Sequence, residues 1–299
     1  MTSAARPRDM TVLLRGYLEL LRPANVVTAA ADVLAGYGVA GLGNPQALPW
    51  LLVATSCLYG GGVVLNDYFD RAIDQVERPE RPIPSGRVAA AGAAWLGGVL
   101  LVAGVIAASQ ATRAAGVIAG ATAGCVLLYD AWGKQRRLFA PVNMGLCRAL
   151  NLLLGIAAVP VVLAEAWPLA LVPLVYIGAV TALSRGEVHG GQRGVAVSAL
   201  ISLMIVLIAL ITMTVSPGNR SVSGLVLVLF LAWRVLPPFW RACRMSGPGP
   251  IRQAVKAGVL SLVLVDASIG ATYAGPVYGL VILATAPVAS GLARLFPVT

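Results

Sequence analysis

The sequence predicts an all-α protein that crosses a membrane many times. Of its 299 residues, 58% are hydrophobic and only 11% are charged, whereas a typical soluble domain carries about 25% charged residues. The mean hydropathy of +0.83 leaves too little polar surface to cover the apolar residues in water. The apolar runs are long rather than alternating. This favours helices over a barrel, the other structure that satisfies its backbone groups in lipid.

Ten runs with few or no charged residues are candidate membrane helices, each of which needs about 20 apolar residues. They lie at residues 23–42, 48–66, 88–110, 113–130, 138–163, 166–184, 194–215, 222–240, 252–272 and 276–296. The apolar content is sufficient for roughly nine spans of this length. We therefore expect nine transmembrane helices, or ten if every run crosses the bilayer. Little sequence remains outside these runs, so we predict a single domain over residues 1–299.

The charges predict how the chain is oriented in the bilayer. Residues 10–22 mix charged and apolar side chains, which predicts an amphipathic helix at the membrane surface. Every second loop is basic, and the intervening loops hold only Arg113 and Arg220. This asymmetry predicts a cytoplasmic N-terminus in a bacterial-type inner membrane. The net charge of +10 is then explained by membrane orientation. It does not predict nucleic-acid binding, because the basic residues form no continuous stripe.

Two long loops on the predicted cytoplasmic side, 67–87 and 185–193, hold half of the acidic residues. Each loop follows an even-numbered run, so both can meet over the same end of the bundle. We predict that they form a cap over it. The arrangement is typical of two related halves, each a helical hairpin followed by an acidic loop.

Four oxygen-bearing side chains converge where the second run ends. On a helix, Asn66, Asp67, Asp70 and Asp74 fall within an arc of about 100°. Carboxylates packed so closely repel one another, which favours a bound divalent cation. Oxygen ligands select Mg²⁺, which proteins often share with substrate phosphates. For any single aspartate, the alternative is a solvated helix end or pairing with a nearby arginine.

A basic, proline-rich segment follows this acidic helix end. Arg78, Arg81 and Arg87 alternate with three prolines, and prolines restrict both their own φ and the preceding residue. The arginines are therefore presented on a stiff loop, where guanidinium groups suit phosphate oxygens. We predict that Arg78 and Arg81 bind phosphate. A topology signal would explain the charge but not the prolines.

These two segments resemble the first signature of the UbiA superfamily of intramembrane prenyltransferases. The matching stretches are NDYFDRAID at 66–74 and RPIPSG at 81–86. The resemblance implies a ring of nine transmembrane helices around a central cavity, capped by the two acidic loops. It also implies transfer of a prenyl group from a polyprenyl diphosphate to an acceptor. Mg²⁺ would bridge the acidic motifs and the diphosphate, and we expect Asp70 to be essential for catalysis.

The second half of the predicted site departs from the family pattern. The resemblance implies that Lys134, five residues after Tyr129, reaches the diphosphate and acts in catalysis, although alone it would pass for a snorkelling loop residue. The stretch 184–191 stands where a second Asp-rich motif is expected. Glu187 is its one acidic ligand candidate, and Arg185 is a candidate to bind the diphosphate. This variant resembles the EboC-like branch of the superfamily.

Several polar residues lie within the apolar runs. Burying a charged group in the membrane is energetically costly, so such residues predict a functional role. Arg148 lies several residues deep in its run, and an ion pair with Asp32 is as good an interpretation as a role in lining the cavity. The cavity candidates are Asn25, Asp32, Tyr129, Asn143, Arg148 and Asn151, together with Asp266.

The leading hypothesis is Mg²⁺-dependent prenyl transfer inside the lipid bilayer, from a polyprenyl diphosphate to an acceptor that the sequence does not identify. The same ionisation of the diphosphate could instead drive cyclisation without an acceptor. The depleted second motif favours a third hypothesis, a protein that binds or transports prenyl lipids without turnover. The predicted metal ligands are Asn66, Asp67, Asp70, Asp74 and Glu187.

Overall fold

The computed structural model describes residues 10–188, 190–216 and 222–296. Within these ranges all regular secondary structure is helical, which confirms the predicted fold class. The helices are α1 (Met10–Leu21), α2 (Pro23–Val39), α3 (Ala47–Glu77), α4 (Ala90–Ala111), α5 (Arg113–Ala131), α6 (Phe139–Ile156), α7 (Pro160–Ala166), α8 (Leu171–Ser184), α9 (Arg193–Val215), α10 (Gly224–Arg244), α11 (Pro248–Leu260), α12 (Leu262–Ala274), α13 (Pro276–Leu283) and α14 (Thr285–Leu295).

Nine candidate spans in the described ranges are long and apolar enough to cross a membrane. Three of them are helices with an internal break, formed by α7 with α8, α11 with α12 and α13 with α14. α2 corresponds to the first of the ten apolar runs, and with 17 residues it is shorter than the nine candidate spans. The prediction of nine spans is therefore confirmed without α2.

The helix ends follow from local sequence. Proline occupies one of the first two positions of α2, α7, α11 and α13, where its missing N–H costs nothing. α5 is capped by Thr112, whose hydroxyl accepts a hydrogen bond from Ala115 N at 3.0 Å. Gly275 turns the chain between α12 and α13 with φ of 95°, which glycine adopts without strain.

Two large clusters of buried apolar side chains hold the bundle together. One lies mainly among α8 to α12 and the other mainly among α3, α4 and α5. α2 and α6 contribute to both clusters, so this helix pair joins the two halves. The pair is close: a Cβ added at Gly36 would lie 2.1 Å from Leu152 O, and one at Gly155 would lie 2.2 Å from Val33 O. Glycine is therefore required on both sides of the contact.

The cap differs from the prediction in one respect. The segment 67–87 was expected to be a loop, but α3 continues through the acidic residues to Glu77. The first helix breaker after the apolar run is Pro79, which disfavours helical geometry at Arg78. The acidic residues thus extend a membrane helix, and the connection to α4 spans only 78–89. Residues 10–21 are helical as predicted, and the described part of 185–192 joins α8 to α9 without a helix.

Candidate functional site

The C-terminal end of α3 presents the predicted acidic face. Asp67 and Asp74 are buried, each with 5% of its surface exposed, while the Asp70 side chain is 23% exposed. The helix thus holds Asn66 and the three aspartates along one side, as the spacing predicts.

Arginines neutralise the two buried aspartates. Arg81 Nη1 lies 2.7 Å from Asp74 Oδ2 and 3.3 Å from Asp67 Oδ1. Arg22, at the junction of α1 and α2, forms a second ion pair with Asp67. It adopts a left-handed conformation with φ of 46°. Arg81 was predicted to serve this site, whereas the role of Arg22 was missed because it is 45 residues away from its partner in sequence.

Lys134 joins the site from the turn that follows α5. Its Nζ lies 2.5 Å from Asp70 Oδ1, so the structure brings together the two residues predicted to be catalytic. Asp130, at the end of α5, accepts a hydrogen bond from Asn66 Nδ2 at 2.9 Å. Asp130 is 4% exposed, and its Oδ2 has no hydrogen-bond partner in the part of the chain described. Sequence reasoning assigned no role to Asp130, although it adjoins Tyr129 at the same helix end.

The loop after α3 is tied to the first helix. Arg87 donates hydrogen bonds to Glu19 Oε2 at 2.5 Å and to the Glu80 carbonyl at 2.8 Å. The Arg78 side chain, a predicted phosphate ligand, is exposed. Arg78 is therefore accessible, whereas Arg81 is already turned toward the aspartates.

The second cap segment braces the first. Arg185 Nη2 donates to the carbonyl oxygens of Lys134 at 3.0 Å and Arg136 at 2.9 Å. Arg252 Nη2 donates to the Glu187 carbonyl at 3.2 Å. Burial raises the pKa of the Glu187 carboxyl group, and the positive charge of Arg252 opposes that rise.

The resemblance of the first motif implies a prenyl diphosphate as substrate, and we expect Arg185→Ala to weaken its use by roughly tenfold, the size of a lost positioning contact. The variant removes the two bonds that fix the backbone around Lys134, so the loss should appear mainly in KM. Arg137→Ala removes an exposed arginine from the same loop and is the matched control. An unchanged KM in Arg185→Ala would contradict the bracing role.

Inside the bundle, the predicted ion pair is formed. Arg148 Nη1 lies 2.8 Å from Asp32 Oδ2, and Asn151 Nδ2 donates to the same oxygen at 2.9 Å. Asn143 is buried and accepts a weak hydrogen bond from Cys147 Sγ at 3.6 Å. The backbone carbonyl of Asn25 accepts a hydrogen bond from Thr28 Oγ1 at 2.7 Å.

The donor set at the end of α3 fits a hard divalent cation. Asn66, Asp67, Asp70 and Asp74 offer only oxygen, the ligand type that Mg²⁺ prefers. Asp130 accepts from Asn66 through Oδ1, and its unpartnered buried Oδ2 adds a further acceptor. Across the described ranges, however, no three His, Cys, Asp or Glu side chains are grouped as metal ligands. In the structure, salt bridges hold the three α3 aspartates instead.

Fold and site together define a polytopic helical membrane protein with carboxylates, arginines and a lysine gathered at one end of its bundle. The model of the UbiA prenyltransferase family matches residues 26–263. The chain belongs to this family, which confirms the resemblance noted from its first motif. Its likeness to the EboC-like branch stays a prediction.

Relatives and solved structures agree with this membership. The chain is 33% identical over 178 residues to a digeranylgeranylglyceryl phosphate synthase of Ignicoccus hospitalis, covering 59% of this chain and 58% of that protein. It is 48% identical over 81 residues to the synthase of Natronomonas pharaonis, covering 27% and 29%. The chain thus spans less than two thirds of the length of either relative.

Two solved structures share the fold. One comes from work on digeranylgeranylglyceryl phosphate synthase in membranes, with a TM-score of 0.70, 20% identity and coverage of 88% of this chain and 99% of that one. The other is a UbiA homologue from Archaeoglobus fulgidus bound to GPP and Mg²⁺, with a TM-score of 0.60, 13% identity and coverage of 90% and 99%.

Proposed function

We propose that this protein transfers a prenyl group from a polyprenyl diphosphate to an acceptor within the membrane, with Mg²⁺ as cofactor. The observation that carries the proposal is the face formed by Asn66, Asp67, Asp70 and Asp74. It offers oxygen ligands for a cation beside Arg81 and Lys134, which suit the oxygens of a diphosphate. The binding of GPP and Mg²⁺ by the homologue of the same fold supports this assignment.

Family membership supports prenyl transfer as the reaction, and the site offers residues that suit it. Asn66, Asp67, Asp70 and Asp74 would hold Mg²⁺. Bound there, the cation would neutralise charge that builds up on the leaving diphosphate. Glu187 remains a candidate for a further metal contact from the second cap segment.

The basic residues of the chain act on the diphosphate itself. Lys134 and Arg81 lie against the aspartates, so a diphosphate shared with the cation would meet both. Their N–H groups donate to its oxygens and stabilise the charge that develops as the allylic C–O bond breaks. Arg78 is exposed at the end of α3 and would add positive charge close to the site. Arg185 keeps the Lys134 turn in place.

The interior of the bundle receives the prenyl chain. The side chains buried in the bundle are mostly leucine, valine and alanine, an apolar environment that would suit an isoprenoid tail and exclude water. A dry, apolar environment protects a carbocation from hydrolysis until the acceptor attacks.

The distribution of basic loops supports a location in a bacterial-type inner membrane, with the N-terminus and the cap in the cytoplasm.

The decisive measurement is release of pyrophosphate by the purified chain. We expect geranyl, farnesyl or geranylgeranyl diphosphate to support release with Mg²⁺ and a membrane extract as the source of acceptor, and EDTA to abolish it. Release without any acceptor, accompanied by a cyclic product, would instead indicate cyclisation. Tight binding of the diphosphates with no release under either condition would identify a protein that binds or transports prenyl lipids.

A further inference from the structure

Asp130 is a buried acidic residue beside the acidic face of α3. In the described part of the chain it forms no salt bridge, although only 4% of its surface is exposed. Its carboxylate receives one hydrogen bond there, from Asn66 Nδ2 at 2.9 Å. A buried carboxylate without a counter-ion is costly. Its single contact with a proposed metal ligand indicates a role at that ligand.

Helix packing holds the two residues together. A Cβ added at Gly62 of α3 would lie 3.1 Å from Val126 Cγ1 of α5. Asn66 follows Gly62 by four residues, and Asp130 follows Val126 by four, which is about one helical turn on each helix. The two helices therefore run side by side in the same direction, and the Asn66–Asp130 contact continues their interface. Side chains on packed helices are positioned more precisely than side chains on loops.

The hydrogen bond fixes which end of the Asn66 amide faces Asp130. A carboxylate only accepts hydrogen bonds, and the donor of an asparagine side chain is its NH₂ group. The NH₂ group therefore faces Asp130, and Asn66 Oδ1 is directed away from it. The oxygen is the end that Mg²⁺ takes as a ligand.

Without Asp130 the amide would be drawn the other way. The carboxylates of Asp67 and Asp70 lie on the same face of α3 as Asn66 and would also attract its NH₂ group. An amide turned in that direction would present hydrogen atoms, which repel a cation, where an oxygen ligand is needed. Asp130 approaches from a different helix and competes for the NH₂ group from the opposite side.

We propose that Asp130 is a positioning residue, which binds the NH₂ group of Asn66 so that Asn66 Oδ1 is free to hold the cation. This role rests on the proposed function and adds to it a residue from outside the α3 motif. Metal ligands are commonly oriented by such outer partners, whose loss lowers metal affinity by about 10- to 100-fold.

The test compares two variants that lose the same charge. Asp130→Asn keeps an oxygen that can accept from the Asn66 amide, whereas Asp130→Leu keeps none. Mn²⁺ takes the same oxygen ligands as Mg²⁺. It is titrated into the purified chains without any prenyl diphosphate, and the EPR signal of the free ion reports binding. We expect Asp130→Leu to bind Mn²⁺ at least about tenfold more weakly than Asp130→Asn. Equal affinities would overturn the proposal, and Asp130→Ala serves in place of Asp130→Leu if the latter does not fold.

A second pair of variants shows whether Asp130 acts through Asn66. In an Asn66→Ala background, Asp130→Asn and Asp130→Leu should bind Mn²⁺ equally, because no amide is left to orient. A difference that persists in this background would mean that Asp130 contacts the cation itself, which contradicts the positioning role. Glu77→Gln and Glu77→Leu make the matched changes at an exposed position of α3, and their affinities should not differ.

The wild-type chain separates this role from the proposed function. If it binds Mn²⁺ while the two Asp130 variants are equal, only the positioning role is lost. If it binds no Mn²⁺, the proposed metal site and the positioning role are both overturned. Because no turnover is involved, failure to detect prenyl transfer would not affect the comparison.

Discussion

Replacing Asp70 by alanine is expected to lower Mg²⁺-dependent pyrophosphate release by roughly 1,000-fold, the equivalent of several kcal/mol of lost electrostatic stabilisation. Asp70 is central to the acidic face and lies 2.5 Å from Lys134. Its removal takes a ligand from the cation and the anchor from the lysine. The rate is measured with purified protein, geranylgeranyl diphosphate and membrane extract.

Glu77→Gln is the matched control for this variant. Glu77 is the last residue of the same helix and is exposed, so the substitution removes a carboxylate charge without touching the acidic face. It should retain nearly full activity. Activity of Asp70→Ala close to that of the wild type would refute the proposed mechanism.

The second large effect is expected at the contact between α2 and α6. In Gly155→Ala the new methyl group would lie 2.2 Å from Val33 O and 2.9 Å from Tyr37 N. These atoms belong to a helix backbone and move only if the two helices separate. Overpacking of this kind costs about 1–3 kcal/mol, which should appear as a lower unfolding temperature in detergent.

Gly124→Ala provides the comparison. No atom lies within 4 Å of a Cβ at Gly124, and alanine favours a helix over glycine by about 1 kcal/mol. This variant should be as stable as the wild type or more stable. Equal unfolding temperatures for the two variants would mean that α2 and α6 lie farther apart at Gly155 than in the structure.

The fold could be predicted from the sequence wherever hydropathy changes sharply. The uncharged runs at 88–110 and 113–130 correspond to α4 (Ala90–Ala111) and α5 (Arg113–Ala131) within two residues. The break at Ser261, between α11 and α12, was not predicted, because the apolar pattern continues through it. The helical extension of α3 was missed for the opposite reason: charge ends an apolar run, but it does not end a helix.

The site was predictable where its residues are neighbours on one helix. The spacing of Asn66, Asp67, Asp70 and Asp74 identifies their shared face without any knowledge of the fold. Arg22 joins that face from the junction of α1 and α2, and Asp130 joins it from α5. No local pattern links either residue to it. Their contribution depends on helix packing, which the periodicity of one segment does not encode.

The salt bridges of the cap bear on the order in which ligands arrive. Arg81 holds Asp67 and Asp74, and Lys134 holds Asp70, so these aspartates already have counter-ions. A cation bound alone would take the carboxylates from Arg81 and Lys134 and leave these basic groups without partners. A diphosphate bound alone would leave the carboxylates without partners. If both arrived together, the cation would take over the carboxylates and the diphosphate would take over the basic groups. We therefore expect the proposed Mg²⁺ and diphosphate to bind cooperatively.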